Sequence, residues 1–238
     1  MVFLPQCHST NDELIQMTRK YHEPEGTLVY TDDQQKGKGQ RGNIWISEPE
    51  KNILMSVLLR PKFLLPVDQF YLNLVVGLSI LDTLKSYLPG ELHLKWPNDV
   101  YLNDKKISGV LIENNLKGNS LESAVVGIGI NVNQRGYRIN HATSFTLETN
   151  KEFERDGIIE ELLCKLEKWY LKLKHGDKRN ILHEYHRQLM WRGELHVFKA
   201  NGIEFQGEII GIDNQGRLSI NENGSLRSFS IKEVEFIR

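Results

Sequence analysis

The chain has 238 residues, and its 30 Lys and Arg balance 31 Asp and Glu to give a formal net charge of −1. This length is enough to bury the core of one or two domains. The balanced charge argues against a general nucleic-acid or membrane surface, which would show a basic excess. Cys7 and Cys164 lie far apart without metal-like spacing, which is typical of a reduced, intracellular chain.

The first 190 residues alternate between helical and strand patterns. A helix is predicted over residues 9–21, opened by a capping box of Thr10 and Glu13. The longest helical pattern covers residues 66–88; its apolar part is too short and too polar to span a bilayer. Strands are predicted over 27–31, 52–60, 93–96, 100–102, 107–114 and 121–131, and further helices over 158–174 and 179–190. With no targeting segment in view, we expect a cytoplasmic protein.

After Met190 the pattern changes to short alternating strands separated by turns that contain glycine, at 200–202, 213–216 and 222–224. Regular short strands of this kind favour a small β-barrel. We therefore expect two domains, residues 1–190 and residues 191–238.

Residues 37–42 have the sequence GKGQRG, which matches the dinucleotide-binding pattern G-x-G-x-x-G. That function requires a helix that opens inside the motif, whereas residues 43–47 have strand or loop character. A flexible surface turn is the plain alternative. Because Lys38 and Arg41 lie among glycines whose backbone amides can approach an anion, the segment favours phosphate binding.

Residues 95–99 have the sequence KWPND, and Lys105 and Lys106 follow on the next hairpin. A buried Trp–Pro corner is often purely structural, and adjacent lysines are usually solvated. Strand alternation nevertheless puts the two lysines on opposite faces, so that one of them can face inward. Gly109 then leaves room for a ligand beside the strand.

Residues 127–133 have the sequence GIGINVN. Glycines weaken an apolar strand unless another group must approach closely, so a β-bulge is one interpretation. The functional interpretation is a planar ring packed on the bare backbone, with Asn131 bonded to that ring or to a phosphate.

Taken together, these segments resemble the biotin protein ligase family. Ser9–Thr10–Asn11, GKGQRG with Trp45 behind it, KWPND, KKISG and GIGINVN follow the family's order, and the likeness covers nearly the whole chain. The resemblance implies an α+β fold, with a mixed-sheet catalytic domain of the biotin/lipoate ligase type and a small C-terminal SH3-like β-barrel. It favours the monofunctional type, since little chain precedes Ser9 for a DNA-binding winged helix.

The resemblance also implies a role for each matching position. Lys106 and Lys38 would be the catalytic residues. Biotin would be bound by Ser9, Thr10, Asn11, Gln34, Gly37, Lys38, Gly39, Gln40, Lys106 and Gly109. ATP would be bound by Lys38, Arg41, Trp45, Asn98, Asp99, Lys106 and Asn131, and Asp99 would help to hold Mg²⁺. The family often has arginine at the position of Gln40, so the charge of this loop differs.

The implied reaction forms biotinyl-5′-AMP from biotin and ATP and then transfers biotin to a lysine of a biotin carboxyl carrier protein. No nucleic-acid or membrane partner is expected, and a homodimer is an option that the family leaves open. A lipoate ligase, which shares the fold and the adenylation chemistry, is the nearest alternative. A non-catalytic biotin-binding module is another, although Lys106 and the intact loop argue against it.

Overall fold

The computed structural model describes residues 1–137 and 141–237. Its strands are β1 (Val2–Cys7), β2 (Leu28–Gln34), β3 (Ile53–Leu59), β4 (Leu92–Lys95), β5 (Asp99–Leu102), β6 (Lys105–Lys117), β7 (Ser120–Ile130), β8 (Leu195–Ala200), β9 (Ile203–Ile212), β10 (Leu218–Glu222), β11 (Ser225–Phe229) and β12 (Glu235–Phe236). Its helices are α1 (Thr10–Tyr21), α2 (Tyr71–Leu84), α3 (Phe145–Thr149), α4 (Arg155–Lys174) and α5 (Lys178–Gln188).

The first seven strands form one mixed sheet in the order β1-β2-β3-β7-β6-β5-β4. The β1–β2 pair is parallel, and the other neighbours are antiparallel. β3 lies inside the sheet and is buried at every position, because its run is apolar except for Ser56 and suits a strand that is covered on both faces. The mixed α+β fold predicted from the sequence is thus confirmed.

Helix α2 is the central core helix. All its residues except Asn73 and Asp82 are buried, and Gly77 allows the side chain of Leu94 to approach. By length and composition alone, the segment Pro66–Leu84 could cross a membrane, contrary to the expectation that it is too short and too polar. Its burial identifies it as a core helix, since a helix that is apolar all round must be covered by other protein or by lipid.

The remaining five strands form an antiparallel sheet in the order β11-β10-β9-β8-β12. β12 is only two residues long and pairs with β8, so the described strands leave the predicted barrel unclosed. Trp96 connects the two sheets, because its indole Nε1 donates to the carbonyl of Gly216 at 2.8 Å.

Several local predictions were wrong. Pro66–Asp68 is a separate 3₁₀ turn, so α2 is shorter than predicted and α4, with 20 residues, is the longest helix. The capping box does not form, because the Thr10 hydroxyl bonds to side chains outside its own helix. Strand β1 and helix α3 were not predicted; in β1 only Cys7 is buried, so its sequence lacks a clear alternation.

Candidate active site

A cavity of about 640 Å³ lies where the large sheet meets the second sheet. Its walls come from the start of α1, the end of β2, the GKGQRG loop, the β4–β5 corner, β6, β7 and the β12 region. The predicted site residues that line it are Ser9, Thr10, Asn11, Gln34, Lys38, Gly39, Gln40, Trp45, Asn98, Asp99, Lys106 and Gly109. Segments from both ends of the chain, from Ser9 to Phe236, therefore share one space.

The polar end of the cavity, which we define as Ser9, Thr10, Asn11 and Gln34, contains hydrogen bonds that join Thr10 directly to Gln34 and, through Ser56, to Asn11. The backbone N–H of Thr10 donates to Gln34 Oε1 at 2.9 Å, which ties the start of α1 to the end of β2. Thr10 and Asn11 are each only 3% exposed. Buried polar groups with partners are held in fixed orientations, so this end is organised to recognise a small polar group.

The floor of the cavity is made of bare backbone covered by Trp45. A Cβ atom at Gly129 would lie 2.5 Å from Trp45 Cε2, and one at Gly109 would lie 2.9 Å from Trp45 Cζ3. The sequence predicted a planar ring on Gly127 and Gly129, bonded by Asn131; in the structure the Trp45 indole covers Gly129, whereas the Asn11 amide covers Gly127. Trp45 Nε1 is buried without a hydrogen-bond partner in the described part of the chain, which leaves one donor for a ligand to satisfy.

The cationic end, which we define as Lys38, Lys106 and Asp99, faces the same space. Lys106 Nζ lies 2.6 Å from Asp99 Oδ1, and the two side chains keep exposures of 31% and 20%. Lys105 instead lies near Glu148, with Nζ 3.7 Å from Oε1. Lys106 is therefore the lysine that faces the cavity, as strand alternation allowed.

The GKGQRG loop folds back on the segment that follows it. Trp45 N–H donates to the carbonyl of Gly37 at 2.9 Å, and Gly39 N–H donates to the carbonyl of Asn43 at 2.7 Å. Lys38 Nζ pairs with Asp12 Oδ1 at 2.5 Å. No dinucleotide-type helix opens within this described loop, which contains only a three-residue 3₁₀ turn. Lys38, Gly39 and Gln40 of this loop line the cavity.

Of the predicted site residues, Gly37 and Asn131 do not line the cavity, and the side chain of Arg41 is not described. Gly37 lies under the loop, where a Cβ would collide with the carbonyl of Trp45. Asn131 is buried and donates from Nδ2 to the carbonyl of Thr143 at 2.9 Å, so its amide supports the β7 end from behind. The side chain of Arg41 is outside the described part of the structure.

The sequence interpretation missed the contribution of the C-terminal segment. Ile231, Lys232, Val234, Glu235 and Phe236 line the cavity together with the β4–β5 corner. Lys95 Nζ lies 5.1 Å from the centroid of the Phe236 ring, a cation–π contact between the two sheets. No local signal marks these residues, because only the packing of the two sheets brings them to the site.

The donor set at the cationic end does not resemble a dedicated metal cage. Within residues 1–137 and 141–237, no three His, Cys, Asp or Glu side chains converge as metal ligands. Mg²⁺ usually keeps several waters and binds through one or two carboxylates and substrate phosphates. Asp99 fits that pattern as a single carboxylate, provided that the metal arrives with a phosphate ligand.

Comparisons with known proteins agree with this architecture. Residues 3–131 match the family described as "Biotin/lipoate A/B protein ligase family". The chain is 30% identical over 226 residues to "Bifunctional ligase/repressor BirA" of Bacillus subtilis, covering 89% of this chain and 66% of that protein. It is 27% identical to "Biotin--[acetyl-CoA-carboxylase] ligase" of Paracoccus denitrificans, covering 98% of this chain and 99% of that one.

A solved structure of the biotin protein ligase from Aquifex aeolicus in complex with biotin and ATP superimposes with a TM-score of 0.83 at 28% identity. The superposition covers 100% of this chain and 98% of that one. The family match spans more than half of the chain, and it includes the polar end, the GKGQRG loop and the β4–β7 strands. The chain belongs to the biotin/lipoate A/B protein ligase family.

Proposed function

We propose that this chain is an ATP-dependent biotin protein ligase that forms biotinyl-5′-AMP and then transfers biotin to a lysine of a biotin carboxyl carrier protein. One observation carries the proposal: a single cavity joins a buried polar end to a cationic end beneath the GKGQRG loop. Biotin has a polar ring at one end and a carboxylate at the other, so it matches these two ends. The named relatives and the Aquifex complex support the same substrates.

In the first step the biotin carboxylate attacks the α-phosphorus of ATP and expels pyrophosphate. Negative charge builds on the phosphate oxygens, and Lys106 and Lys38 are the cations that stabilise it. To reach the phosphate, Lys106 leaves Asp99 and Lys38 leaves Asp12. Such preorganised donors are typically worth about 3–4 kcal/mol each. Asn98 and Trp45 are assigned to the nucleotide, while Ser9, Thr10, Asn11 and Gln34 are assigned to the biotin ring.

In the second step the carrier lysine attacks the carbonyl carbon of the mixed anhydride, and AMP leaves. Water competes for the same carbonyl, so the GKGQRG loop must stay closed over the intermediate. Asp99 would help to hold Mg²⁺, which when bound would supply charge neutralisation for the pyrophosphate that leaves in the first step.

The wider assignments belong to the same proposal. Residues 1–190 form the catalytic domain and residues 191–238 the C-terminal domain, and the protein works in the cytoplasm. Its macromolecular partner is the carrier domain of a biotin-dependent carboxylase, without specific DNA or membrane binding. A homodimer is compatible with these assignments.

The test is to incubate the protein with biotin, MgATP and a carrier domain and to follow pyrophosphate release and the mass of the carrier. We expect pyrophosphate release that depends on biotin, followed by one added biotin on the carrier. Release without any mass gain would overturn the transfer step.

A thermal-shift experiment separates the lipoate alternative. A ligand that binds only the folded state raises the melting temperature, and the rise grows with the logarithm of the ratio of its concentration to its Kd. Biotin is expected to raise it and lipoate to leave it unchanged. A shift with lipoate alone would reassign the chain to the other branch of its family.

A further inference from the structure

We propose that Glu113 and Ser56 are positioning residues that orient Asn11 and Thr10 for biotin; the inference rests on the proposed function. Neither Glu113 nor Ser56 lines the cavity, whereas Asn11 and Thr10 do. Ser56 is fully buried, with 0% exposure. Both residues act from behind the polar end.

The geometry places the Asn11 side chain across the central strand β7. Ser56 of β3 and Leu111 of β6 are both paired with Gly127 of β7, so the three form one cross-strand row. A Cβ at Gly127 would collide with the Asn11 amide. The glycine therefore provides the space in which this amide lies, between strands β3 and β6.

Hydrogen bonds hold both ends of that amide. Asn11 Nδ2 donates to Glu113 Oε2 at 2.7 Å and lies 3.4 Å from the carbonyl oxygen of Leu111. On the other side, the Ser56 hydroxyl donates to Asn11 Oδ1 at 2.6 Å. An ionised carboxylate and a carbonyl only accept hydrogen bonds, so Glu113 and Leu111 together require the NH₂ group of Asn11 to face them.

This orientation sets the direction of the next bonds. The Ser56 hydroxyl has one proton, and Asn11 Oδ1 can only accept it. With the Ser56 proton committed to Asn11, the Thr10 hydroxyl is left as a donor, with Ser56 Oγ at 2.7 Å and Gln34 Oε1 at 3.2 Å as its two acceptors. Gln34 Oε1 keeps the backbone N–H of Thr10 as its donor. One carboxylate thus fixes the donor and acceptor pattern of two cavity-lining side chains.

The consequence is preorganisation of the biotin subsite. Without the acceptor of Glu113, the Asn11 amide and the Thr10 hydroxyl can adopt other orientations, and biotin binding must restore the productive one. A cost of that kind lowers affinity without changing the chemical step. A merely structural Glu113, which only fastens α1 to the sheet, would instead affect folding stability and leave the KM for biotin unchanged.

The first experiment compares Glu113→Met with Glu113→Gln in steady-state adenylation. Methionine keeps the length of the side chain and removes the acceptor, whereas glutamine retains an acceptor oxygen. We expect Glu113→Met to raise the KM for biotin about tenfold, as for loss of one charged hydrogen-bond partner. Its kcat and its KM for ATP should stay within about threefold, and Glu113→Gln should stay near wild type in all three. Glu122→Gln is the matched control, because Glu122 pairs with Lys62 outside the cavity.

The second experiment reverses the hydrogen-bond partners. Asn11→Asp alone places a carboxylate against Glu113, and we expect it to weaken biotin binding more than either variant of Glu113. In the double variant Asn11→Asp/Glu113→Gln, the new amide can donate to the new carboxylate. We expect recovery of at least about tenfold in KM for biotin relative to Asn11→Asp, because residues in one network are not additive.

Additive losses in the double variant, or a Glu113→Met enzyme with an unchanged KM for biotin, would overturn the inference. Failure of the proposed function has a different signature, since the wild-type protein itself would then show no adenylation with biotin and MgATP. If Glu113→Met does not fold, the Asn11→Asp/Glu113→Gln comparison still decides between the two roles.

Discussion

The two ends of the cavity hold their side chains in different ways. At the polar end, Thr10 and Asn11 are 3% exposed and take part in a continuous hydrogen-bond network. At the cationic end, the Lys38 side chain is 45% exposed, and each lysine has a single carboxylate partner. Part-exposed ion pairs of this kind are weak, so the lysines can exchange a carboxylate for a phosphate.

This difference suggests a division of work within one cavity. The buried network is fixed before a substrate arrives, because water cannot compete for its bonds, and it suits recognition. The cations are partly exposed and each is paired with a carboxylate that a phosphate can replace, so they suit a step in which charge moves. The predictions that follow test this contrast, in decreasing order of expected effect.

Lys106→Ala tests the cationic end directly. We expect the adenylation rate to fall by about 100-fold or more, because a preorganised donor to developing charge is lost. The melting temperature without ligand should change little, since the Lys106–Asp99 pair is part-exposed. Rapid-quench measurement of biotinyl-5′-AMP formation checks the rate, and thermal unfolding checks the stability. A marked loss of stability with a near-normal adenylation rate would show that Lys106 stabilises the fold and does not take part in the reaction.

Gly129→Ala tests the floor that joins the two ends. The new Cβ would lie 2.5 Å from Trp45 Cε2, so the indole must shift. Overpacking of this kind costs about 1–3 kcal/mol, and we expect weaker binding of both biotin and ATP. Isothermal titration with each ligand measures the effect. Gly157→Ala is the matched control, because a Cβ there meets open space; equal losses in the two variants would contradict the role of the bare floor.

The pH dependence of stability tests how α5 is fastened to the second sheet. His186 Nε2 of α5 accepts the backbone N–H of Ile212 at 2.9 Å, which fastens that helix to β9. Burial lowers the pKa of His186 below its ordinary value of 6.5, and the nearby charges of Arg192 and His183 lower it further, whereas the backbone contact with Ile212 acts in the opposite direction. The unfolded chain then binds the proton more readily than the folded chain.

The stabilising contribution of neutral His186 is therefore complete above pH 6.5 and is lost as the pH falls through the lowered folded pKa. Thermal unfolding from about pH 8 to about pH 5 should show this loss in wild type and a flatter profile in His186→Gln. Identical profiles for the two proteins would show that protonation of His186 does not affect the contact between α5 and β9.

Gln40→Arg is expected to have the smallest effect. The substitution adds a third cation to a loop that already contains Lys38 and Arg41. If those two suffice to hold the adenylate, release of biotinyl-5′-AMP in the absence of carrier should slow by less than about threefold, or ~0.7 kcal/mol. Tenfold slower release, measured by filter binding, would show that the loop of this chain holds its intermediate loosely.

The sequence determined the fold class and the family, and most of the residues that it singled out line the cavity. The near-continuous apolar run of β3 and the alternation that separates Lys105 from Lys106 are local patterns, and the structure has both as expected. The glycines of β7 indicated a close approach, which the structure confirms. The catalytic and binding roles of the individual residues remain predictions that the experiments above address.

The tertiary structure alone decided which groups meet those features. Trp45 occupies the bare backbone of Gly129, Phe236 reaches Lys95 from the second sheet, and Asn131 faces Thr143 instead of the cavity. Glu113 likewise reaches Asn11 only because Asn11 of α1 packs on Gly127 of β7, beside the neighbouring strand β6 that carries Glu113. A local pattern records which positions are buried and which are small. It does not record which distant segment fills the space, because that depends on the simultaneous packing of the whole chain.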